Sequence, residues 1–94
     1  MSRRRHLIAY DIANDRRLRR VAKVMEAYGD RLQYSVFLCD LSGAELLAWR
    51  TDLVRLLDLD QDSVVVIDLG VPGRQVLETL GKSRRLPHTG PVVV

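Results

Sequence analysis

Apolar and polar positions divide the chain into short alternating blocks. Residues 6–12, His-Leu-Ile-Ala-Tyr-Asp-Ile, are almost continuously apolar and rich in β-branched and aromatic side chains, which predicts a strand buried on both faces. The spacing then changes to that of a helix. Leu18, Val21, Met25 and Tyr28 form one apolar stripe, Asn14 or Asp15 can cap the start, and Gly29 closes the end. Over 31–41, Leu32, Tyr34, Val36 and Leu38 alternate with Gln33, Ser35, Phe37 and Cys39. That pattern fits one strand or two short ones joined by a tight turn.

Ser42 with Glu45 three residues on predicts a capping box. The helix it opens has a buried stripe of Leu46, Trp49, Leu53 and Leu56 or Leu57. Asp58–Asp62 reads as a polar turn, and Ser63–Leu69 as a strand broken by Gly70, Pro72 and Gly73. Residues 74–80 are expected to form a short helical turn. The final Val92-Val93-Val94 reads as a terminal strand that needs a sheet edge, its own or a partner's. With right-handed crossovers this order predicts an α+β sandwich, a ferredoxin-like βαββαβ unit with helices on one face of an antiparallel sheet and an extra C-terminal strand.

Composition sets the scale. The 94 residues, 47% apolar and 29% charged, suit a single domain over 1–94 that gains from association. No apolar run approaches the roughly 20 residues needed to span a bilayer. The stretch after Arg3-Arg4-Arg5 is too short for a signal peptide, and Cys39 stands alone, so a reducing cytoplasm is expected. Net charge is +3, but it is unevenly placed: residues 1–34 carry +5, residues 40–68 carry −5 and residues 69–94 carry +3. Thirteen of the fifteen basic residues are Arg, which suits bidentate contact with phosphate.

Asp11 breaks the apolar pattern of the first strand. A carboxylate there is costly unless it is paired, capping a helix or bound to a metal. Asp15 suits a helix cap. Arg16, Arg17, Arg20 and Lys23 crowd a helix start, where the macrodipole favours acids, so a phosphate-binding face competes with a merely solvated one. Arg31, Gln33 and Ser35 extend that face, and Phe37 fits either an exposed stacking or dimer contact or the core. His6 and His88 lack ligand-spaced companions, Cys39 reads as a buried thiol and Trp49 as core. There is no glycine-rich nucleotide loop, zinc-protease or hydrolase-elbow signature.

Taken together, Tyr10-Asp11-Ile12, Asp15, Arg16, Arg17, Arg20, Val21, Tyr28-Gly29 and Arg31-Leu-Gln-Tyr-Ser-Val-Phe37 resemble the CRISPR-associated Cas-two family over essentially the whole chain. The resemblance implies a ferredoxin-like homodimer, with the C-terminal strand, about 86–94, pairing with the partner subunit. It resolves 31–41 into two short strands. It also implies a metal-dependent endonuclease of single-stranded RNA or double-stranded DNA, acting with the Cas-one integrase in spacer acquisition. The alternative it allows is a non-catalytic DNA-binding scaffold of the integration complex.

By similarity, Asp11 is the catalytic and metal-binding residue, with Mg²⁺ or Mn²⁺ as the ion. Arg16, Arg17, Arg20 and Arg31 are the nucleic-acid contacts, and Tyr10, Ser35 and Phe37 support the site. Three features depart from the family pattern. Leu38 stands where an acid is common, Asp68 interrupts the late strand, and Arg3-Arg4-Arg5 is either an added phosphate clamp or a loose flank. A small-molecule regulatory domain of the same fold is the third reading, and no pocket signature favours it.

Overall fold

The computed structural model of the chain describes residues 2–82. Six elements follow in order: β1 (Arg4–Asp11), α1 (Asp15–Tyr28), β2 (Asp30–Gln33), β3 (Val36–Leu41), α2 (Gly43–Val54) and β4 (Ser63–Gly70). The sheet runs β2-β3-β1-β4 with every neighbouring pair antiparallel. This is the expected ferredoxin-like βαββαβ arrangement. The terminal strand expected at about 86–94, and His88, lie outside the described residues.

Local chemistry explains the boundaries. Asn14, not Asp15, caps α1, its side chain accepting from the Arg17 amide at 3.0 Å. Ser42 and Glu45 form the expected capping box on α2. The 31–41 stretch is two strands, with Tyr34-Ser35 as the turn between them. Gly29 departs from the left-handed cap expected of it, since its backbone is extended. Its smallness is needed for another reason: a Cβ there would collide with the Leu38 carbonyl oxygen and Cys39 Sγ of β3. Residues 74–78 adopt no helical turn and run irregularly to an isolated bridge at Thr79. Glycine at positive φ on either side, Gly73 and Gly81, and β-branched Val76 and Thr79 disfavour a helix there.

The core lies between one face of the sheet and the two helices. Ile8, Tyr10, Phe37, Cys39 and Leu41 meet Val21 and Met25 of α1 and Trp49 and Leu53 of α2. Trp49 Nε1 donates to Met25 Sδ at 3.1 Å, and Tyr28 donates to Asp52 at 2.6 Å, so both helices are tied together. Phe37 is fully buried, which settles its role as core and contributes roughly 2–3 kcal/mol through apolar burial.

Among the described residues, β1 is not covered on both faces as its composition predicts. His6, Ile8 and Tyr10 are buried, while Leu7 and Ala9 on the opposite face are only half-buried. On that second face the register sets Leu7 beside Ile67 and Ala9 beside Val65, which are 48% and 54% exposed. Nothing among the described residues fully covers the second face of this strand.

Candidate active site and nucleic-acid interface

Three segments converge at the C-terminal end of β1. Asp11 is the last residue of that strand and pairs in register with Ser63, the first residue of β4. The Tyr34-Ser35 turn lies on the other side, where the Ser35 carbonyl accepts from the Tyr10 amide at 3.1 Å. The N-terminus of α1 follows after Ile12 and Ala13.

Asp11 is exposed, and among the described residues its carboxylate has no ion pair or hydrogen bond. The burial cost read from its apolar neighbours therefore does not arise within one subunit, because the strand ends at this residue. The structural alternatives also fall away. Asn14 takes the cap and the nearby Arg17 is engaged by Asp62. What remains is a hard oxygen donor free to bind something.

Tyr10 is 5% exposed, stacked on Phe37 at a centroid distance of 6.1 Å, and its hydroxyl donates to the Tyr34 carbonyl at 3.4 Å. Burial raises the Tyr10 phenol above its ordinary pKa, which keeps it a neutral donor. The Arg31 guanidinium lies 5.2 Å from the Phe37 ring centroid and 5.8 Å from that of Tyr34, an exposed ring. Its Nε is buried without a hydrogen-bond partner among the described residues. Tyr10, Ser35 and Phe37 thus build the floor and flank of the strand end, and Arg31 sits on that aromatic floor.

The helix separates the remaining arginines. Arg16, Arg20 and Lys23 are exposed at helical spacing, forming one positive face without ion pairs among the described residues. Arg17 is different. Its Nε and Nη2 bind the Asp62 carboxylate at 2.8 and 3.1 Å, and the Asp62 side chain is fully buried. Asp62 is the functional-neighbourhood residue that sequence reading placed in a plain polar turn. The available signal was its position directly before an apolar strand, where a carboxylate can turn inward to collect loop amides.

The sequence features that departed from the family pattern are accounted for. Arg3, Arg4 and Arg5 pair with Glu45, Asp68 and Asp40, each at 2.8 Å, so the basic run binds the protein's own acids. Asp68 is the partner of Arg4 and also accepts from the Gly70 amide. Leu38 is buried at 6% exposure, in a position unsuited to a helper acid. The Cys39 thiol is pushed up to about 12, first by burial and then by Asp30 and Asp40, so it is no nucleophile.

Among the described residues, no three His, Cys, Asp or Glu side chains gather to hold a metal ion. Asp11 fits a hard divalent cation as a single oxygen ligand, because such an ion can keep most of its coordination as water. Among the described residues of one subunit, Asp11 is the single carboxylate at this strand end without an ion pair or hydrogen bond.

A family model described as CRISPR associated protein Cas2 matches residues 4–75. The chain is 42% identical over 81 residues to a CRISPR-associated endoribonuclease Cas2 of Rhodospirillum rubrum, covering 83% of this chain and 78% of that one. It is 32% identical over 92 residues to a CRISPR-associated endonuclease Cas2 of Halalkalibacterium halodurans, covering 93% and 96%. Among solved structures, a hypothetical protein from Thermus thermophilus superposes with a TM-score of 0.78 at 35% identity, over 88% of this chain and 96% of that one. Streptococcus pyogenes Cas2 gives 0.66 at 35% identity, over 70% and 86%. This chain belongs to the CRISPR-associated Cas2 family.

Proposed function

We propose that the chain is a metal-dependent endonuclease that hydrolyses phosphodiester bonds of RNA or DNA during CRISPR adaptation. In this reading it works as a homodimer with one Asp11 carboxylate from each subunit facing the other. Its partner in spacer acquisition is the Cas-one integrase. The observation that carries the reading is the exposed Asp11 carboxylate, free of ion pairs among the described residues, at a strand end adjoining the positive face of α1. Relatives that share the fold are named endoribonuclease or endonuclease, which agrees with it.

Each side chain then has a task. Arg16, Arg20 and Lys23 hold phosphates, giving binding that weakens steeply with salt. Tyr34, exposed over Arg31, offers a face on which an unstacked base can rest. Asp11 holds a Mg²⁺ or Mn²⁺ ion. When bound, that ion supplies a water of lowered pKa and neutralises charge on the phosphodiester. Dimerisation doubles the carboxylates, and the half-open apolar face of the sheet around Ile67 is where a second subunit is accommodated.

Asp11→Ala tests this directly. Because the side chain is exposed and makes no ion pair or hydrogen bond among the described residues, the variant folds as the wild type does, and cleavage falls at least 100-fold. Cleavage that survives the substitution, or survives chelation of divalent ions, overturns the reading. A scaffold role is the second reading, and one observation favours it: the positive face of α1 is built independently of Asp11. It predicts that spacer capture persists in Asp11→Asn and fails when Arg16 and Arg20 are neutralised.

A further inference from the structure

Asp62 sits one residue before β4, yet its side chain is fully buried and takes four hydrogen bonds. Oδ1 accepts from the Ala13 amide at 2.9 Å and Arg17 Nη2 at 3.1 Å; Oδ2 accepts from Arg17 Nε at 2.8 Å and the Asp58 amide at 2.9 Å. Ala13 is two residues beyond Asp11, and Ser63, the neighbour of Asp62, is the register partner of Asp11. The chain around Asp11 is therefore gripped twice from the same place. Ser63 pairs with its strand, and Asp62 holds the loop that leaves it.

We propose that Asp62 is the positioning residue for the Asp11 carboxylate, and that Arg17 acts on the site through Asp62 and not by contacting phosphate. The inference rests on the reading of Asp11 as the reacting carboxylate. Both donors on one edge of the Arg17 guanidinium are spent on Asp62, and the Arg17 side chain is only 23% exposed. A phosphate that took over this edge of Arg17 would break the pair and leave a buried carboxylate with its two amide donors and no counter-charge, which is strongly unfavourable. Arg16 and Arg20, exposed on the same helix, need no such exchange. The carboxylate of Asp62 is held below its ordinary pKa, first by the hydrogen bond from Arg17, so the latch stays charged in the working pH range.

The test compares Arg17→Gln, Arg17→Lys, Asp62→Asn and Arg20→Gln in the full chain. Three measurements are made: amide exchange at Ala13 together with the Asp11 carboxyl ¹³C resonance, the salt dependence of duplex DNA binding, and kcat and KM with Mg²⁺. In Arg17→Gln and Asp62→Asn, Ala13 exchanges at least 10-fold faster and the Asp11 resonance moves. In both, kcat falls at least 10-fold at constant KM, and the salt slope stays that of the wild type. Combining Arg17→Gln with Asp62→Asn is no worse than either substitution alone, and Arg17→Lys recovers most of kcat. Arg20→Gln does the opposite, lowering the salt slope by about 0.9 and raising KM.

A lowered salt slope in Arg17→Gln with Ala13 unmoved overturns the proposal, as does faster Ala13 exchange with kcat and the Asp11 resonance intact. Should Asp62→Asn fail to fold, Arg17→Gln decides alone, since it leaves the buried carboxylate its two amide donors. A wild-type chain that cleaves nothing sinks the nuclease reading, while Ala13 exchange, the Asp11 resonance and the salt slope still decide this one.

Discussion

Arg5 and Asp40 stand opposite each other in the β1–β3 ladder, joined by two parallel hydrogen bonds of 2.8 and 2.9 Å. The Arg5 side chain is 10% exposed and that of Asp40 37%, so the pair closes one end of the sheet from partial solvent. A bidentate pair of this kind is worth more than an open surface contact. Arg5→Ala should therefore cost about 1–3 kcal/mol, because it removes packing and leaves Asp40 without its partner. In a double-mutant cycle with Asp40→Asn, urea unfolding should return a coupling of about 1 kcal/mol at unchanged m. Additive effects would mean that the pair contributes nothing of its own.

Gly29 is the second point where the fold is tight. Its extended backbone suits any residue, so substitution there introduces no dihedral strain. The obstacle is the β3 backbone, since a methyl group would meet the Leu38 carbonyl and the Cys39 sulfur. Gly29→Ala should destabilise by about 1–3 kcal/mol, the usual range for forcing an extra carbon into a packed site. Gly29→Ala combined with Cys39→Ala should recover part of that loss in the same unfolding assay, because one of the two colliding atoms is gone.

How far the sequence could be read depended on whether a feature was local. The helix stripes, the Ser42–Glu45 box and the β4 run are set by neighbours in sequence and appear where the pattern puts them, except that α2 ends at Val54 and Leu56 and Leu57 pack on the core from the turn beyond it. Asp11 stood out as a carboxylate among apolar residues, although its true setting, exposed at a strand end, depends on where β1 stops. The partners of the arginines were out of reach. Arg17 and Asp62 are 45 residues apart, and Arg4 and Asp68 are 64 apart, so only the tertiary fold shows which cations are already bound. The helical turn expected at 74–80 failed for a related reason: short periodicity counts for little against flanking glycines and β-branched residues.

Glu45 links the N-terminal arginines to α2 and carries a pH signature. Its carboxyl is lowered from 4.5 to about 2, first by the side-chain hydrogen bond from Arg3 and then by the Ser42 amide. A carboxyl with a depressed folded-state value contributes stability above its unfolded value of 4.5. That contribution fades as the pH falls toward 2. The unfolding midpoint of Glu45→Gln should therefore lie below that of the wild type at pH 6, and the gap should close as pH falls from 4.5 to 2. Arg3→Ala should bring the Glu45 titration, followed by NMR, back toward the ordinary carboxyl value. A gap that does not change with pH would show that ionisation of Glu45 contributes nothing to stability, and no gap at pH 6 that glutamine replaces the carboxylate fully.

The uncovered face of the sheet gives the sharpest test of assembly. Along β4, Val64 is half-buried toward α2, whereas Val65 and Ile67 point the other way at 54% and 48% exposure. Their ladder partners Ala9 and Leu7, together with Val36 of β3, extend this apolar surface, and Leu77, Thr79 and Leu80 line a cavity with Leu7 and Val36. A sheet apolar on both faces demands cover on both, and in the proposed homodimer the second subunit supplies it. Ile67→Asp puts a charge into that surface while leaving the helix-side core intact. At micromolar concentration the wild type should elute as a dimer with a melting temperature that rises with concentration, and Ile67→Asp as a folded monomer whose melting temperature does not. A wild type that is monomeric at these concentrations, or an Ile67→Asp dimer of equal stability, would place the subunit contact elsewhere and leave Asp11 without the second carboxylate the nuclease reading requires.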